Sequence, residues 1–391
     1  MANRVEAIIK PELLLWARRS AGLQVDQAAK KIRVKPERLA SWERGESRPT
    51  VKQLRRLGRV YRRPLAVFYL PEPPLDFHPM HDFRRLPGEV AGVQSPELRY
   101  EIRRALNRRE IALELYEAAL GPITEFTLRA HLSEDPDRVA ERVRAALDIA
   151  LEVQAGWKPG YETFNGWRTA LEDAGVLVLQ MTGVEVSETR GFSSSDTPLP
   201  TVVVNVKDSP TGRCFTMFHE LAHVMLREGG LCDLDDHTRR APEELQAEVF
   251  CNMVAGATLM PRKALLAESA VRAKRRTSEW QDHEIKSLAD RYGVSKEAML
   301  RRLLILGRTS EGFYKRMRKR FAETYEAREP RPGGFAPPHR LAISSAGPLF
   351  VRLVLSNYHQ EIITASAVSD YLEIRLKHLD KIESAVLGAA A

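Results

Sequence analysis

The apolar pattern of the chain changes period several times, and each change marks an element. From Arg213 to Leu226 the residues Phe215, Met217, Phe218, Leu221, Ala222, Val224, Met225 and Leu226 make a strongly apolar helix into which His219, Glu220 and His223 are set. A second helix is predicted over Pro242–Ala255, with proline near its start and an apolar face. Between positions 202 and 206 the β-branched run Val-Val-Val-Asn-Val reads as a strand, and the turn-rich Asp208–Gly212 then leads into the first helix. Such a strand could pair with an extended peptide or simply form core.

The flanks are helical. Apolar positions at Leu13, Leu14, Ala17, Ala28, Ala29, Ile32, Val34, Leu39, Trp42, Leu54, Leu57 and Tyr61 fit a bundle of short helices over residues 1–70, with one near Val25–Ile32 and another near Pro36–Glu43. Residues 71–95 read as a proline-rich linker, and residues 96–155 as bridging helices broken at Gly121-Pro122. Ile285–Leu303 reads as helix, glycine turn and helix. Residues 311–391 read as a further linker, basic at Lys315–Arg320 and rich in proline and glycine at 330–338, and a C-terminal helical module without a catalytic constellation.

Charge separates the two ends. Residues 1–70 hold 17 Lys and Arg against 6 Asp and Glu, a surplus of 11, so the net +8 of the chain leaves −3 for the rest. The basicity is therefore local, as expected of a module that meets a polyanion. The 391 residues, 43% apolar, suffice for two or three domains. No apolar run approaches membrane-spanning length and no signal-peptide core opens the chain, which predicts a cytoplasmic protein with no membrane partner. Three cysteines, Cys214, Cys232 and Cys251, are an odd set that fits a reducing compartment, with Cys214 and Cys251 read as small core residues.

Chemistry concentrates in His219-Glu220-Leu221-Ala222-His223. Imidazoles four positions apart on a helix lie within about 40° around the axis, so both can reach one Zn²⁺, and the intervening carboxylate can take a proton from an acidified water. Three polar groups buried in an apolar helix need something to satisfy them, and a metal does so. Glu248 is the expected third ligand and Asn252, one turn later, its support; Glu243 and Glu244 compete but occupy a first turn, where acids complement the helix dipole. His237, His283 and Tyr292 are the available oxyanion donors, undistinguished by sequence.

The run Arg213–His223, then Glu248-Val249-Phe250-Cys251-Asn252 and Leu259-Met260-Pro261, resembles the ImmA/IrrE family of zinc metallopeptidases. Trp167–Gly175, Gly191-Phe192-Ser193 and Thr201–Asn205 also match its pattern, whereas Ala222, Cys251 and Val254 stand where glycine, alanine and phenylalanine are expected. The resemblance spans about residues 156–310 and implies a zincin-like peptidase domain with a small sheet, Zn²⁺ on His219, His223 and Glu248, and Glu220 as general base. The N-terminal end resembles an XRE-type helix-turn-helix, with Arg33 in the turn where glycine is common and Lys35, Arg38, Ser41 and Lys52 as DNA contacts. The expected fold is thus α+β, mostly α. The expected activity, by resemblance, is cleavage of a transcriptional repressor or antitoxin that switches on stress or mobile-element genes. The alternative is a DNA-binding regulator with a structural or vestigial zinc site.

Overall fold

The structure, a computed structural model, describes residues 5–74, 94–119, 123, 125–227, 231–232, 242–275, 278–326 and 336–387, which fall into two units. The expected linker between Leu75 and Val93, the break at Gly121-Pro122, His237 and most of the 330–338 stretch lie outside the described residues.

The first unit holds α1 (Pro11–Ser20), α2 (Val25–Ile32), α3 (Pro36–Glu43) and α4 (Val51–Tyr61), a 3-10 turn at Leu65–Tyr69 and the start of α5 (Pro96–Ala119) as far as Leu106. Local chemistry sets the ends. Proline opens α1 and α3, while Gln24 with Gln27 and Thr50 with Gln53 form reciprocal caps on α2 and α4. Arg33 closes α2 in the left-handed region at φ 61°, where a side chain is strained. Leu14, Ala28, Ile32, Leu39, Trp42, Leu57 and Phe68 close a small core. Arg18 is clamped to Glu43 by two bonds of 2.7 and 2.9 Å, which ties α1 to α3.

The second unit begins on α5 at Asn107 and continues with α6 (Pro136–Leu147), α7 (Leu151–Gly156) and α8 (Tyr161–Asp173). Its sheet has β1 (Leu177–Met181), β2 (Gly191–Ser194), β3 (Thr201–Asn205) and, beyond α9 (Pro210–Leu226), the two-residue β4 (Leu231–Cys232). The order is β1-β3-β2-β4, with β1 and β3 parallel and β2 antiparallel to both β3 and β4. β1, β2 and β3 are buried throughout, which explains the unalternating valines of β3. The expectation that this strand could pair with a substrate fails: β1 and β2 occupy both its edges. The turn-rich stretch before α9 is also shorter than expected, because Ser209 caps the helix and Pro210, Thr211 and Gly212 already belong to it.

α10 (Pro242–Leu259) lies between α9 and α6, and α8 backs α9. Trp167 of α8 stands edge-on to Phe218, with centroids 4.9 Å apart. The short α11 (Arg262–Ala267) and α12 (Ser269–Arg272) lead to α13 (Asp282–Tyr292) and α14 (Lys296–Ile305), joined by Gly293 at φ 65°. Ile285, Leu288, Met299 and Leu303 enter the same core as the α9 residues, so this helix pair completes the second unit. α15 (Glu311–Glu326), expected beyond the peptidase boundary, adds Phe313 and Met317 to that core.

α16 (Pro338–Ala346), α17 (Pro348–His359), α18 (Ala365–Tyr371) and α19 (Leu379–Leu387) complete the chain. Rather than standing apart as a module, they dock on the outer strand β1 and on α8. Buried Arg168 donates to the Ser344 carbonyl, Gln180 to Ser344, and the Leu349 N–H donates to Glu172. Burial pushes the Glu172 carboxyl up to about 7, against the opposing pull of Arg168 and that N–H.

Candidate metal centre

An apolar sequence makes α9 a core helix, and the core position buries its polar residues: His219 and His223 are fully buried and Glu220 nearly so. α10 brings Glu248 against them, also fully buried. His219 Nε2 and His223 Nε2 face each other at 3.2 Å, and the Glu248 carboxylate oxygens lie 3.3 Å from the first and 3.6 Å from the second. Among the described residues this is the one group of three or more ligand types that converges. Burial raises the Glu248 pKa, but the adjoining His219 and His223 pull it below the usual carboxylate range.

Whether the trio fits a metal can be tested on its spacing. Two nitrogens each about 2.05 Å from a tetrahedral zinc are separated by about 3.3 Å, and a carboxylate oxygen at about 2.1 Å falls at nearly the same distance from each. The 3.2 Å between the two nitrogens meets that spacing, and the carboxylate reaches His219 through Oε2 at 3.3 Å and His223 through Oε1 at 3.6 Å, which places the acid at the same centre. Two imidazole nitrogens aimed at each other in a dry interior repel unless a proton or cation lies between them. The donor set of two imidazoles and one carboxylate suits a divalent ion of borderline softness.

Asn252 follows Glu248 by one turn, and its Oδ1 lies 3.0 Å from His219 Nδ1. Because Oδ1 can only accept, this bond assigns the proton of His219 to Nδ1 and leaves the Nε2 lone pair directed at the trio. The sequence spacing of Glu248 and Asn252 therefore places one candidate ligand against both imidazoles and one acceptor on His219 Nδ1.

Glu220 is held from the sheet. Ser193 of β2, itself fully buried, donates its hydroxyl to Glu220 Oε2 at 2.9 Å. The approach requires Gly191: a Cβ there would stand 2.5 Å from Thr216 Cγ2, 2.8 Å from the Val203 carbonyl and 3.2 Å from Glu220 Oε1. Nothing in the local sequence marks Ser193 for this contact. Its partner lies 27 positions away in the chain, and only the β2–α9 packing brings them together.

The remaining expected residues are scattered. Tyr292 donates its hydroxyl to Glu268 at 3.2 Å and packs in the core, and His283 is exposed in the first turn of α13, so neither joins the trio. Cys214 and Cys251 are buried and outside any disulfide among the described residues, and burial pushes the Cys214 thiol up to about 12, leaving it protonated and unsuited to a metal. Glu243 and Glu244 start α10, with side chains outside the described residues. In the first unit Lys35 precedes α3, Arg38 lies 5.8 Å above the Trp42 ring, Ser41 shares a hydrogen bond with Ser47, and Lys52 opens α4. Lys35, Arg38 and Lys52 are exposed; Ser41 is half-buried.

Comparison with known families divides the chain in the same way. Residues 171–304 match the family described as IrrE N-terminal-like domain, a peptidase family, and residues 14–68 match the helix-turn-helix family. A search of curated proteins finds no match. No described helix is long and apolar enough to cross a membrane.

Proposed function

We propose, for a chain that carries an IrrE N-terminal-like peptidase domain behind a helix-turn-helix, that it is a zinc-dependent endopeptidase of the cytoplasm acting on a DNA-binding repressor or antitoxin. The supporting observation is the convergence of His219 Nε2, His223 Nε2 and Glu248, with Glu220 held beside them and no fourth ligand among the described residues. A structural site closes its coordination with protein atoms, whereas a hydrolytic one keeps a place for water.

When bound, zinc supplies a Lewis acid that polarises a peptide carbonyl and lowers the pKa of water towards about 7. Glu220 takes the proton of the attacking water and delivers it to the leaving amine, and the hydrogen bond from Ser193 to Oε2 orients its Oε1 for both transfers. Asn252 keeps His219 in the ligating tautomer.

Zinc-loaded wild type incubated with a helix-turn-helix repressor tests the reading. It predicts discrete products that vanish with Glu220→Gln while bound zinc stays stoichiometric. Equal cleavage by wild type and Glu220→Gln refutes it.

A second reading, a DNA-binding regulator with a structural metal, is favoured by the helix-turn-helix match and by exposed Lys35, Arg38 and Lys52. It predicts a salt-sensitive shift of upstream DNA, lost with Arg38→Ala and Lys52→Ala and indifferent to Glu220→Gln.

A further inference from the structure

A groove of about 910 Å³ runs along the outer face of α8, between it, the end of α6 and Trp157 after α7. Its ionisable lining is all acidic: Asp148, Glu162 and Asp173, each exposed, and none ion-paired among the described residues. Helix dipoles sharpen it. Asp173 ends α8 and Asp148 caps the C-terminus of α6 in the left-handed region at φ 49°, so both carboxylates sit where a helix end is already negative and where a lysine or arginine would be the stabilising choice. Their placement works against the local helices and builds a concentrated negative field over the groove.

The floor is apolar. Ile149 and the Trp157 ring line it, and Trp157 lies so close to Gly166 that a Cβ there would meet the ring at 2.5 Å. Glycine at this point lets the indole lie flat against α8. Glu162 and Asp173 are eleven residues apart on one helix, about 16 Å along its axis. That spacing excludes a single cation held by both. It matches a helix of the same pitch carrying two cations three turns apart, since positions i and i+11 fall within about 20° of each other around a helix.

We propose that this groove is an exosite for a basic amphipathic helix of the protein substrate, with Lys or Arg side chains paired to Glu162 and to Asp148 with Asp173, and apolar residues between them on Ile149 and Trp157. DNA-binding proteins carry such helices, because the cations that meet phosphate also meet carboxylate. The identification of the partner as substrate rests on the peptidase reading; the affinity of the groove for a basic helix does not.

The test uses the full chain as Glu220→Gln, so that no probe is cut, and a fluorescent helical peptide of about 18 residues with two arginines eleven positions apart and leucines between them on the same face. Anisotropy should show saturable binding that weakens with salt, falls at least tenfold with Asp148→Asn/Asp173→Asn, and disappears when glutamates replace the arginines. The double variant changes two exposed side chains, and an unaltered melting curve verifies its fold. No saturable binding, equal affinity of the double variant, or displacement by spermine at the concentration of competing unlabelled peptide overturns the proposal. Peptide binding with no cleavage of any repressor by wild type retains the groove and removes the peptidase reading. Cleavage of a repressor at an unchanged kcat/KM by Asp148→Asn/Asp173→Asn removes the exosite and retains the peptidase.

Discussion

Replacing Asn252 by alanine isolates the least conspicuous part of the metal centre. Asn252 is 4% exposed and accepts from His219 Nδ1 at 3.0 Å, inside a core with little water to replace it. Alanine leaves a buried N–H without this acceptor, which costs about 1–3 kcal/mol. It also frees the imidazole to turn or to move its proton to Nε2, where no metal can bind. Loss of such a partner weakens metal affinity about 10–100-fold, or about 1.4–2.8 kcal/mol. Competition for zinc against a chromophoric chelator at fixed pH measures this directly. Asn252→Asp keeps an acceptor in place and should bind zinc within a few-fold of wild type or more tightly. A zinc affinity of Asn252→Ala within twofold of wild type, in a protein that melts normally, refutes the assignment of His219 through this bond.

Three further outcomes are expected. Ser193→Ala removes a hydrogen bond to the Glu220 carboxyl, so kcat should fall about tenfold or more with KM and zinc content unchanged, and an unaltered kcat excludes Ser193 from orienting Glu220. Arg33→Gly relieves a left-handed side chain and should raise the stability of the first unit by about 0.5–1 kcal/mol in denaturant unfolding; a loss of stability contradicts the strain argument. Glu172, raised by burial to about 7, keeps a proton in the folded state that the unfolded chain releases near 4.5, so its contribution is full below that value and is lost as pH rises through 7. The stability of wild type relative to Glu172→Gln should therefore decline between pH 5 and 7, and a flat or rising difference opposes it.

Local signals carried much of the fold. The apolar spacing and the prolines placed α2, α3 and the body of α9 and α10, because α2 and α3 are set by their ends and one buried face and α9 by an almost wholly apolar run. His219, Glu220 and His223 are legible from a four-residue spacing on one helix, and Glu248 with Asn252 from another; the three-dimensional meeting of the two helices was an expectation built on metal chemistry. What escaped is non-local. That β3 is core, one of the two readings its valines allow, is decided by its pairing with β1 and β2. The serine beside Glu220 comes from a short, weakly patterned Gly-Phe-Ser-Ser strand. The C-terminal helices read as separate because their ties to α8 and β1, through Arg168, Glu172 and Gln180, join residues more than 160 positions apart. The acidic groove combines the ends of α6 and α8, which only packing brings together.

Zinc-edge X-ray absorption on the zinc-loaded full chain tests the central claim most directly. His219, His223 and Glu248 predict one zinc per chain with two imidazole nitrogens and oxygen scatterers at about 2.0–2.2 Å, and an altered spectrum with one fewer imidazole in His223→Ala. A sulfur shell near about 2.3 Å, a third imidazole, or no stoichiometric zinc at all would contradict it.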